Sequence, residues 1–111
     1  MKRLITILFL VVFVTTNIFA TRILIPMDEE RQRNHLKAYG IAYWILQNEI
    51  EVEWLLNYRG GSFLVTNYNS IQEECTIRGV TYELITDAKV NAIKTEISDP
   101  EVNMEVVKLE K

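Results

Sequence analysis

Residues 55–65 read LLNYRGGSFLV, and the fold turns on what Gly60-Gly61 does to the chain. If Tyr58, Arg59, Gly60, Gly61 and Ser62 follow the carboxyl end of a parallel strand, they occupy the place where open α/β sheets bind ligands. Two glycines would then let backbone N–H groups approach an anion, and Arg59 would offer a planar fork to a carboxylate or phosphate. If instead Gly-Gly joins two extended runs, the same residues are an ordinary turn. The segment lacks the Lys of a phosphate loop and leads into Phe63-Leu64-Val65 rather than directly into a helix. Both readings stay open at this level.

On the N-terminal side, Arg22 to Pro26 (RILIP) is a short apolar run that reads as a buried first strand. Asp28 is placed to cap a helix from Glu29 to Gln47, with Glu29 and Glu30 in its first turn, where negative charge is favoured. Leu36 to Leu46 is apolar on nearly every face, which predicts cover on both sides. Gly40 costs about 1 kcal/mol relative to Ala in mid-helix and predicts close approach to a strand. In the second strand, Glu51 to Leu56, Val52, Trp54 and Leu56 share one side. Glu49, Glu51 and Glu53 read as a solvated face.

On the C-terminal side, Ser70-Ile71-Gln72-Glu73 matches a capping box and Gly79 a left-handed helix stop. Val80 to Ile85 reads as a third strand, and Thr86 caps a last helix from Asp87 to Ile97, closed by Asp99-Pro100. Strand, helix, strand, helix, strand, helix implies a parallel sheet with right-handed crossovers. The expected fold is thus a small three-layer α/β domain, flavodoxin-like or amidotransferase-like, over residues 21–100. Residues 101–111 (EVNMEVVKLEK) carry a fresh alternating pattern and read as a further element or linker, so the chain is expected to be part of a longer protein.

Lys2 and Arg3, the apolar block Leu4 to Val14, and a polar stretch before Ala20 have the order of a secretory signal peptide over residues 1–20. The apolar run is far shorter than the roughly 20 residues of a spanning helix. Cleavage after Ala20 leaves a secreted or periplasmic chain with no membrane span. Ile18 and Phe19 are bulky for a cleavage site, which keeps an uncleaved N-terminal anchor as the alternative.

The chain has 12 basic and 15 acidic residues. Without Lys2 and Arg3 the mature part carries a net charge of −5, which gives no electrostatic footprint for nucleic acid. A single Cys excludes an intramolecular disulfide and any Cys-rich metal site.

The other candidates for chemistry each have a plain alternative. His35 has no His or Cys cluster to join, so it reads as a helix-surface or cap-side histidine and not a metal ligand. Cys75 sits mid-helix beside Glu73 and Glu74, and nearby carboxylates raise a thiol's pKa, which argues for a buried thiol and not a nucleophile. Tyr39, Tyr43 and Trp44 recur at helical spacing, as core or as a surface for a partner domain. Thr21 would become an N-terminal threonine after cleavage, a residue type its own amine can activate, but no partner base or oxyanion hole is visible nearby. No catalytic set, metal site or cofactor motif is expected in these residues.

The stretches ILIPMDEE, NHLKAYGIAYWILQ, EVEWLLNYRGGSFLV, EECTIRGVTYELI and DPEVNMEVVKLEK together resemble the N-terminal part of a secreted family commonly labelled asparagine synthetase B or asparagine synthetase B-like. LLNYRGGSF is the most specific of them, and members of that family are several times longer than this chain. The label implies a glutamine-dependent amide ligase that activates aspartate with ATP and magnesium. Position 2 is Lys2 where such synthetases expose a Cys nucleophile, and Gly60-Gly61-Ser62 lacks the Asp of their Ser-Gly-Gly-x-Asp-Ser loop. The chain is therefore read as the N-terminal structural domain of such a protein, with a small-carboxylate or other anion contact at Tyr58 to Ser62, beside the remainder of a longer chain. Two alternatives stand with it: part of an amidotransferase-like or amide-ligase enzyme whose catalytic residues lie beyond Lys111, or a non-catalytic binding module.

Overall fold

The computed structural model describes residues 19–110; the signal expected over residues 1–20 lies almost wholly outside the described residues. Five strands and three helices follow: β1 (Arg22–Ile25), α1 (His35–Gln47), β2 (Val52–Leu56), β3 (Ser62–Thr66), α2 (Asn69–Arg78), β4 (Glu83–Ile85), α3 (Asp87–Ile97) and β5 (Glu105–Leu109). A single 3₁₀ turn, Tyr58–Gly60, joins β2 to β3.

The sheet runs β4-β1-β3-β2-β5, and every neighbouring pair is antiparallel. The expected parallel, three-layer flavodoxin-like or amidotransferase-like sheet is therefore incorrect, and residues 62–66 are the reason. Gly60 and Gly61 take φ of 79° and 91°, a left-handed region open to glycine at little cost, and they reverse the chain. Ser62–Thr66 then returns along β2, with Phe63 opposite Trp54 and Ser62 opposite Leu55. Counting this run as a strand converts the expected alternation into βαββαβ, two split βαβ units, with β3 inserted between β1 and β2 and β1 between β3 and β4. The residues from α3 onward add β5 to the free edge of β2.

Side chains alternate across the pleated sheet, and both faces are covered. Ile23, Ile25, Phe63 and Val65 pack under α1 and α2. Leu24, Leu55 and Leu64 point the other way and pack under Val90, Ile93 and Ile97 of α3.

Helix α1 begins at His35 and not at Glu29. Asn34 caps it, its side-chain oxygen accepting from the Lys37 N–H at 3.1 Å. Residues 28–34 are held out of the helix because Gln32 turns inward and is buried. Its Nε2 donates to the carbonyls of Pro26 (3.1 Å) and Thr81 (2.9 Å), and its Oε1 accepts from the Thr81 N–H (2.9 Å). Gly40 does not approach a strand: a Cβ there would meet only Arg78 Nη1, at 3.7 Å.

The capping box at Ser70 does not form, since α2 starts at Asn69 after Tyr68 with no side-chain cap. Gly79 ends that helix at φ 70°, as its sequence position predicts. Thr86 caps α3 by accepting from the Lys89 N–H at 3.2 Å, again as read. Among the described residues no helix is long and apolar enough to cross a membrane.

Candidate functional site

The five residues singled out in the sequence, Tyr58 to Ser62, lie together at the β2–β3 turn, and most of their bonding capacity is used inside the fold. Tyr58 is buried beneath α3 among Leu24, Leu55 and Ile93. Burial first, and the Glu96 carboxylate second, hold its phenol above the usual value. The Gly61 N–H donates to the Tyr58 carbonyl at 3.0 Å, and the Gly61 carbonyl accepts from the Trp54 indole at 2.9 Å. Ser62, fully buried, donates through its hydroxyl to the Arg59 carbonyl (3.2 Å) and accepts from the Met27 N–H (3.3 Å). The Met27 N–H also reaches the Arg59 carbonyl at 3.2 Å. The turn is thus laced to the end of β1.

Arg59 has the fork that an anion site requires, but two carboxylates of the same chain fill it. Glu83 on β4 takes two bonds, at 3.2 Å to Nη1 and 2.9 Å to Nη2. Asp28 takes Nε and Nη2, each at 3.4 Å. The hydrogen bond with Glu83 is the main reason the guanidinium is held above its ordinary pKa. Asp28, expected to cap α1, is diverted to this pair. Arg59 itself sits at φ 45°, ψ 51°, a left-handed conformation that a non-glycine residue adopts at some cost.

Beside the turn lies an open cleft of about 940 Å³, whose lining includes Asp28, Glu29, Glu30, His35, Tyr39 and Arg59. Its three carboxylates outnumber its one guanidinium. An entering carboxylate or phosphate would meet net negative charge and would have to displace Glu83 or Asp28 from Arg59. His35 contributes Nε2 to a 2.9 Å hydrogen bond with the Met27 carbonyl, which fixes the ring against the loop. Among the described residues no group of three or more His, Cys, Asp and Glu side chains is arranged to hold a metal ion.

One charged centre escaped the sequence reading. Glu53, expected on a solvated face with Glu49 and Glu51, is only 13% exposed under α3 and sits between two cations. Arg22 Nη2 and Lys94 Nζ each approach it to 2.8 Å. Burial works to raise this carboxyl's pKa, but hydrogen bonds and charge from Lys94 and Arg22 outweigh it and leave the group below its ordinary 4.5. A lowered folded-state pKa means that Glu53 stabilises fully above the unfolded-state value and loses that contribution as pH falls through the folded one. Glu53→Gln should therefore cost about 1.5–3 kcal/mol at neutral pH, with the gap to wild type closing in urea melts taken progressively below pH 4.5. A gap independent of pH would assign the loss to packing.

The remaining candidates are dispersed. Cys75 is buried under α1, and burial first, then Glu74, pushes its thiol up to about 11, far from a nucleophile's range. Thr21 donates its hydroxyl to Asp87 and its backbone N–H to the Ile85 carbonyl, which ties it to the end of the sheet. Tyr39 packs edge-on against Phe63, ring centres 5.8 Å apart, but Tyr39 and Tyr43 remain largely exposed. No family model, curated protein or solved structure matches the chain.

Proposed function

We propose that this chain is a non-catalytic, scaffolding domain of an exported protein, and that Tyr58 to Ser62 serves the fold rather than a ligand. The observation that carries the reading is the occupied guanidinium of Arg59, with Glu83 and Asp28 on its donors. A fork already satisfied on both edges has little left to offer a substrate carboxylate. The signal-like order of residues 1–20 supports export. The resemblance to the asparagine synthetase B-like family supports a place at the N-terminal end of a longer chain. Against the amide-ligase alternative stands the chemistry of the residues present: the one thiol is buried and its ionisation suppressed, and Gly60-Gly61-Ser62 is locked between Trp54 and Met27.

Arg59→Lys is the test, because it keeps the charge and removes the fork. The expected result is a loss of about 1 kcal/mol, given that the pairs are partly solvated, which for a domain of this size lowers Tm by roughly 4–8 °C. Titration with L-aspartate or inorganic phosphate should show no binding that depends on Arg59. An affinity for either that weakens in the variant while Tm stays put would overturn the scaffolding reading and return the loop to ligand binding.

A further inference from the structure

Strand β1 begins at Arg22, the second residue beyond the expected cut after Ala20, and the bond to be cut is itself tied into the fold. Ala20 and Thr21 sit where the ends of β1, β3 and β4 meet. The Ala20 carbonyl accepts from the Asn67 side-chain amide at 3.0 Å, and the Thr21 carbonyl accepts from the Asn67 N–H at 3.0 Å. The Thr21 N–H, on the nitrogen of the scissile bond, donates to the Ile85 carbonyl at 3.1 Å. The Thr21 hydroxyl donates to Asp87. Phe19, by contrast, is 83% exposed. The fold therefore takes hold of the chain at Ala20, on both sides of one peptide bond.

These contacts compete with proteolysis. A protease that takes its substrate as an extended strand pairs with the main-chain groups flanking the scissile bond, and here Asn67 and Ile85 already hold them. Thr21 is exposed and Ala20 half-buried, so pairing and not depth withholds the bond. The product of cutting, however, suits the finished fold. Hydrolysis adds water across the Ala20–Thr21 bond, leaving a carboxylate on Ala20 and an ammonium on Thr21. That ammonium keeps the Ile85 carbonyl as acceptor and gains Asp87 as a counter-charge, since the Asp87 carboxylate is bonded to the hydroxyl of the same residue. A cut beyond Thr21 would instead place the new charge within the β1 ladder.

We propose that Ala20–Thr21 is a processing bond open only before the domain folds, so that cutting and folding compete, and the winner decides whether the domain is released or stays joined to its N-terminal apolar segment. This rests on the export reading above. The groups that close the site lie far along the chain: Asn67 is 47 residues after Ala20, and Asp87 is 66 residues after Thr21. Cutting thus has an interval before they arrive. Once they are in place, a protease reaches the bond only through local opening of this end of the sheet. An uncleaved anchor is then not a failed signal but a chain that folded first.

Three precursors, each retaining residues 1–20 and exposed to a signal peptidase in detergent micelles, test this, with cutting read by intact mass and by the N-terminal sequence of the product. The first is kept unfolded by Gly60→Ala with Gln32→Leu, neither of which touches the site, and should be cut after Ala20. Folded wild-type precursor should be cut at least about tenfold more slowly, because only its locally opened fraction is a substrate. The third has wild-type residues with a short Gly-Ser linker inserted between Ala20 and Thr21, which carries the cut site clear of Asn67 and Ile85. It should be cut as fast as the unfolded chain although its domain is folded. Wild type cut as fast as the linker chain, or a linker chain as resistant as wild type, overturns the inference and leaves export standing. An unfolded precursor left uncut after Ala20 removes the processing bond itself, and with it both the inference and the released form of the domain.

Discussion

Replacing Gly60 by Ala should remove about 3 kcal/mol of stability, a large share of what a small domain has in hand. Two causes add. At φ 79° a Cβ-bearing residue is strained, and the new Cβ would stand 2.7 Å from the Met27 carbonyl oxygen and 2.9 Å from its carbonyl carbon. Those atoms are backbone, held by the Met27 N–H bonds to Arg59 and Ser62, so they cannot swing aside as a side-chain end would. Gly79→Ala supplies the internal control. Its φ of 70° carries the same conformational penalty, but nothing lies within 4 Å of the added Cβ, and about 1 kcal/mol should be lost. Urea melts of the two variants separate strain from collision; equal losses would show that the β2–β3 turn can move away from β1.

Gln32→Leu should cost a comparable amount, about 3 kcal/mol, although leucine matches glutamine in bulk and is the more apolar residue. The substitution leaves the Pro26 carbonyl and both backbone groups of Thr81 without the partner they have in the fold. A buried polar group left unpaired costs roughly 1–3 kcal/mol. Gln32→Glu tests the same site by charge: the carboxylate still accepts from Thr81 but faces two carbonyl oxygens where an amide once donated. Both variants should melt well below wild type at neutral pH, with Gln32→Glu partly recovering in acid, where the protonated carboxyl can again donate. A Gln32→Leu chain as stable as wild type would mean that water replaces the lost bonds.

The local grammar of this chain is readable residue by residue, while its strand directions are not. Thr86 at the start of α3 and Gly79 at the end of α2 act through bonds to their own neighbourhoods, and the sequence places both. The misreading begins with RILI and SFLV. Each is an unbroken apolar run because helices cover both faces of the sheet at β1 and β3, with Ile23 and Val65 on one side and Leu24 and Leu64 on the other. Unbroken runs are the usual signature of parallel strands, so the true cause, a doubly covered antiparallel centre, is hidden. Phe63-Leu64-Val65, an extended run of three residues after the turn, is left out of the expected strand order, and that omission makes the alternation look parallel.

The site was half legible for a similar reason. Tyr58 to Ser62 stood out through composition, but what occupies Arg59 depends on Asp28 and Glu83, one from before α1 and the other from β4. Glu53 joined an apparent row of surface carboxylates, since its partners Arg22 and Lys94 come from opposite ends of the domain. Gln32, inside the polar run EERQRN, gave no sign of its burial.

The position of β1 sets a kinetic condition. The first strand of the domain to emerge lies inside the sheet, where Arg22 is aligned with Thr66 on one side and Ile85 on the other. Both partners are far down the chain, so neither core can close early, and the closure entropy of long loops must be met before any β1 ladder forms. Only the β2–β3 hairpin, with its short glycine turn, can assemble from adjacent residues. A chain emerging from its N-terminus would thus hold β1 unpaired until β3 had followed it, about halfway through the domain, and would complete the pairing of β1 only when β4 docks on its other edge.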